Sequence, residues 1–141
     1  MRSLCGVVVL GLFVGASYVA SAQAPLTVAD YPAKMKAAVQ ANVAMQKALK
    51  AGNAADAVEP AKAAAAAFAD IENFWKAQKK DDAVKLSAQA RQGFADAAAA
   101  AGKGDVMAAQ MAAGSAAQTC KQCHSVYREG DAQTGYKIKG I

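Results

Sequence analysis

Beyond the first two dozen residues, apolar positions return every three or four residues along nearly the whole chain. That spacing predicts α-helix, and few β-branched residues interrupt it, so almost no segment reads as a strand. Three breaks divide the periodic part: Ala51-Gly52-Asn53, Lys79-Lys80-Asp81-Asp82 and Gly102-Lys103-Gly104-Asp105. Each joins a stop to a start, with Asp81 and Asp105 placed to cap the helix that follows. Four helices are predicted, at about Asp30–Ala51, Ala57–Ala77, Asp82–Ala101 and Asp105–Arg128.

Each helix has a face to bury. The first groups Met35, Val39, Asn42, Val43 and Leu49; the second groups Val58, Ala61, Ala65, Phe68, Ile71 and Trp75, with Pro60 tolerated in its first turn. The third turns Val84, Ala88, Phe94, Ala95 and Ala98 inward, and Ala112, Ala113, Ala116 and Ala117 line the fourth. Short connections between helices of similar length favour antiparallel neighbours, hence an all-α, up-down-up-down four-helix bundle. Its core is short of large side chains, because Ala63 to Ala67 and Ala97 to Ala101 are alanine runs. Burial at roughly 25 cal/mol per Å² makes such a core marginal, so either the alanine helices pack closely on one another or a large apolar group completes the core. Glycines at 130, 135 and 140 argue against a further helix, leaving a loosely ordered tail against the bundle.

The opening segment has its own pattern. Arg2, the apolar stretch from Cys5 to Val19 and the small residues Ala20 to Ala24 make the three parts of a secretory leader. The apolar run is short for a spanning helix and leads straight into small-x-small cleavage sites. Removing residues 1–24 leaves 117 of the 141 residues, enough for a single domain at 25–141, and places it outside the cytoplasm, most simply in a periplasm. Cys5 leaves with the leader, so no disulfide framework remains. The net charge of +5 becomes +4 without Arg2, carried by scattered lysines that never alternate with aromatics as a nucleic-acid surface would favour. This is a solvated, mildly basic surface, which can also steer an acidic partner.

The candidate chemistry lies in Cys120-Lys121-Gln122-Cys123-His124. Two thiols three positions apart on a helix can each form a thioether with a vinyl group of haem, and the adjacent histidine then offers a ring nitrogen to the iron. Structural zinc wants four protein ligands, and here Cys120, Cys123 and His124 supply three. A thioredoxin-like pair would open a helix after a strand, where the dipole lowers the thiol pKa, rather than lie deep in the last helix. One covalent haem c is the reading these residues favour. Ala113, Ala117, Cys120, His124 and Tyr127 share a helical stripe, and Arg128 falls one turn beyond His124. Arg128 could pair with a haem propionate, tune the iron, or meet the helix dipole.

With four helices and the run Cys120-Lys-Gln-Cys-His-Ser-Val-Tyr127-Arg128, the chain resembles the class II cytochromes c, the family of cytochrome c prime and cytochrome c556. The resemblance implies haem in the core of the bundle and, often, pairing of two copies through their first two helices. Low-spin members look like Arg-x-x-x-Met-Lys in the first helix, with the methionine as sixth iron ligand. Here Tyr31-Pro32-Ala33-Lys34-Met35-Lys36 keeps Met-Lys but has Tyr31 in place of the arginine. Met35 is therefore the candidate sixth ligand, with Met45, Met107 and Met111 as rivals.

Two functions follow. With both axial positions filled, the haem carries single electrons between redox partner proteins and no substrate turns over. With His124 alone, the open face binds nitric oxide or another diatomic gas. A haem peroxidase would want a distal polar catalyst, and His124 is the chain's one histidine.

Overall fold

The computed structural model describes residues 25–131 and 133–141; the expected leader at 1–24 lies outside the described residues. Helix α1 spans Tyr31–Lys50, with Pro32 in its first turn and Lys47 and Lys50 in the last, where cations favour the dipole. Helix α2, Ala54–Ala77, begins three residues before the expected Ala57, because the Asn53 side chain accepts from the amide of Asp56 and caps it there. Pro60 therefore sits inside the helix rather than in its first turn. Helix α3, Asp81–Gly102, has Lys80 at its cap position and no side-chain cap; Asp81, expected as the cap, lies in the first turn with Asp82. Helix α4, Val106–Tyr127, is capped as expected by Asp105, which accepts from the amide of Ala108 at 2.9 Å.

The chain does not remain helical to its end. Strands β1, Arg128–Asp131, and β2, Gly135–Ile138, pair antiparallel, Arg128 opposite Ile138 and Asp131 opposite Gly135. The hairpin corrects two expectations: Arg128 belongs to a strand, and the tail is a paired ribbon. Its tightest point is Gly130, with φ +83°, where a Cβ would lie 2.1 Å from the Gly135 carbonyl oxygen. Ile138 packs on the bundle, and the amide of Lys139 donates to the carbonyl of Tyr127 at 2.8 Å.

The four helices pack against one another, α1 on α2, α2 on α3 and α3 on α4, while α1 and α4 meet sparsely. Each presents a seam in alternating steps of three and four residues. In α2 it runs Ala54, Ala57, Ala61, Ala64, Phe68, Ile71, Trp75, and in α3 Ala83, Ser87, Ala90, Phe94, Ala97, Ala101, all buried. In α1 it runs Tyr31, Met35, Ala38, Asn42, Met45, Leu49. Val39 and Val43, expected inside, stand beside that seam and are 51% and 60% exposed. Small residues let α3 and α4 approach closely: a Cβ on Gly93 would lie 3.0 Å from the Ala116 Cβ. Aromatic rings fill one end, with Tyr31 against Phe74, Phe74 edge-on to Trp75, and Trp75 against Tyr127. No described helix is long and apolar enough to cross a membrane.

Candidate functional site

The seam of α4 runs Ala109, Ala113, Ala116, Cys120, Cys123, Tyr127. A spacing of three thus puts both thiols on successive seam positions, and both are half-buried against the core. His124, one residue on, faces the gap where α4 parts from α1. There an apolar cleft opens in two connected lobes sharing Met35, Phe68, Cys120 and His124. The inner lobe, a narrow space of about 20 Å³, also reaches Tyr31, Ile71, Ser87 and Cys123. The outer lobe, about 210 Å³ and partly open to solvent, also meets Ala38, Asn42, Phe94 and Ala117.

Met35 is brought to this cleft from α1, opposite the helix that carries His124. Its three rivals are not: Met45 is fully buried in the core, and Met107 and Met111 are 72% and 70% exposed. Tyr31 is buried at the inner end with Met35, and burial drives its hydroxyl well above the usual phenol range.

The thiols and the imidazole are held uncharged by their surroundings. Burial raises Cys120, and raises Cys123 to about 11 with help from Cys120 and Asp82. Burial lowers His124, and the nearby Arg128 charge lowers it further, so a ring nitrogen keeps its lone pair at neutral pH. Arg128 does not line the cleft; its guanidinium lies 4.4 Å over the Tyr136 ring. Tyr127 packs on Trp75 and donates its hydroxyl proton to Asp82, tying α4 to α2 and α3.

Two features of the site escaped the sequence reading. Phe68 and Phe94, stacked 5.4 Å apart, were placed inward but not recognised as the wall of a cleft. Asn42 lines the outer lobe with its Oδ1 buried and without a hydrogen-bond partner, a costly state for a polar atom. Its place in the α1 seam was the available signal, since a polar residue there needs a partner from outside the apolar core. No family model, curated protein or solved structure matches the chain.

Proposed function

We propose that this chain is an exported one-haem c-type cytochrome of the class II kind, an up-down-up-down antiparallel bundle that carries single electrons in the periplasm. The observation that carries the reading is the convergence of Cys120, Cys123, His124 and Met35 on one apolar cleft. Haem suits the residues present: the walls are apolar, and the donors are two thiols, an imidazole and a thioether. When bound, haem supplies a one-electron couple through its iron.

The chain's own residues would divide the work. Cys120 and Cys123 would each add S–H across a vinyl group, an addition that needs no oxidant. His124, kept neutral by burial, would offer a ring nitrogen to the iron, and Met35 would offer its sulfur. Phe68 and Phe94 would exclude water from the ring, and Arg128 would act on the site through its charge.

Antiparallel order is supported by the bonds between helix ends. Lys34 near the start of α1 pairs with Asp70 near the end of α2 at 2.7 Å. Gln110 near the start of α4 bonds the carbonyl of Leu49 at the end of α1, and Tyr127 at the end of α4 bonds Asp82 at the start of α3.

The visible and near-infrared spectra of the purified ferric and ferrous protein test the proposal. A low-spin spectrum with the weak methionine-to-iron band is expected. A high-spin spectrum that changes with carbon monoxide would replace electron transfer by diatomic-gas binding. Haem that is released on denaturation would overturn covalent attachment.

A further inference from the structure

Charge and exposed apolar surface are sorted between the two sides of the bundle. The large hydrophobic side chains left exposed on the helices are Val39, Val43, Met107, Met111 and Val126, all on α1 and α4. Those two helices contain no Asp or Glu. The acidic residues of the helices lie instead on α2, with Asp56, Glu59, Asp70 and Glu72, and on α3, with Asp81, Asp82 and Asp96.

The exposed residues of α1 and α4 form stripes. On α1, Lys36, Val39, Val43, Lys47 and Lys50 recur in steps of three or four, all exposed, along the shoulder next to the cleft-lining Met35 and Asn42. On α4, Lys121 flanks the cleft-lining Ala117, while Met107, Met111, Gly114 and Gln118 recur in the same steps along the outward face of that helix. Val39 itself lines the outer lobe, so the first stripe is the rim of the cleft. Lys34, on the far shoulder of α1, is engaged by Asp70, whereas Lys36, Lys47, Lys50 and Lys121 form no ion pair among the described residues.

We propose that this seam face, where α1 and α4 part over the cleft, is the docking surface for an acidic redox protein. The proposal rests on the electron-carrier reading and names its partner's chemistry. Unpaired lysines around small apolar side chains give a surface that attracts a carboxylate-rich face and then sheds water at the contact. A second copy of the chain would set lysines against lysines. Anionic membrane would call for aromatic or leucine wedges, and the exposed apolar residues of these stripes are valine and methionine.

The test is calorimetric titration of poly-L-glutamate into the haem-loaded full chain at low salt. The triple variant Lys36→Glu, Lys47→Glu, Lys121→Glu should weaken binding about tenfold. The triple Lys62→Glu, Lys85→Glu, Lys103→Glu makes the same charge change away from the seam and should leave binding within about twofold. All six lysines are exposed, so both variants should keep the helical far-ultraviolet signal. Equal weakening in the two triples, or none in either, overturns the proposal. So does preference for phosphatidylglycerol vesicles over polyglutamate, or a sedimenting dimer that the seam triple dissolves. Haem staining after denaturation, scored on the same samples, reports separately on the electron-carrier reading.

Discussion

Single side chains here act through what their burial does to charge and packing, and, on the proposed reading, to ligation of haem iron. Met35→Ala should leave the fold intact and change the spin state of the ferric protein, with the near-infrared methionine band lost; an unchanged spectrum removes Met35 from the iron. Glu72 shows the electrostatic counterpart. Lys76, and then Arg91 at 3.0 Å, hold its carboxylate below its ordinary pKa of about 4.5 and so join α2 to α3. A depressed folded pKa stabilises above the unfolded value, and that contribution disappears as pH falls through the folded one. Glu72→Gln should cost about 0.5–1 kcal/mol at neutral pH, with the gap to the parent closing below about pH 4.5, as read from thermal midpoints. Gly93→Val meets packing rather than charge. With Ala116 already 3.0 Å from the first added carbon, it should cost about 1–3 kcal/mol.

At the scale of elements, caps and breaks decide where each helix begins. Asp105 was legible because an acceptor stood directly before a periodic run, and Asp105→Ala should lose about 1 kcal/mol in chemical denaturation. Asn53 was less so, since Pro60 suggested a later start, yet its cap bond to Asp56 holds three further residues in α2. The hairpin was not legible at all. Its residues, Arg-Glu-Gly-Asp and Gly-Tyr-Lys-Ile, show no alternation of apolar and polar positions because both strands are mostly exposed. Pairing between backbones and the freedom of Gly130 and Gly135 at positive φ make it. Tyr127 links the end of α4 to α3, and its bond to Asp82 raises its hydroxyl to about 12. A raised folded pKa stabilises below the ordinary value near 10 and is lost as pH climbs to about 12, so Tyr127→Phe should flatten the alkaline fall in stability.

Across the whole molecule, the cleft is the consequence of one missing contact. Three helix pairs close on alanine seams, while α1 and α4 stand apart and leave room for a large apolar group. On the proposed reading, Cys120→Ala with Cys123→Ala should yield a protein that loses its haem on denaturation and melts at a lower temperature and less cooperatively, because the cleft would lose its tethered filling. The sequence by itself determined the local matters: four periodic runs, their breaks, and the Cys120-Lys-Gln-Cys123-His124 spacing, whose geometry is set within two turns of one helix. It also carried the seams, in steps of three and four, but not which shoulder of α1 would face water. Val39 and Val43 stand next to seam positions, on the shoulder of α1 that faces water. Tertiary structure likewise brought Met35, and not Met45, Met107 or Met111, to the cleft, since that depends on which helix lies across it. It turned Arg128 onto Tyr136, and it set the lysines of α1 and α4 on one side with the carboxylates of α2 and α3 on the other. Each of these depends on residues far apart in the chain, where local periodicity carries no information.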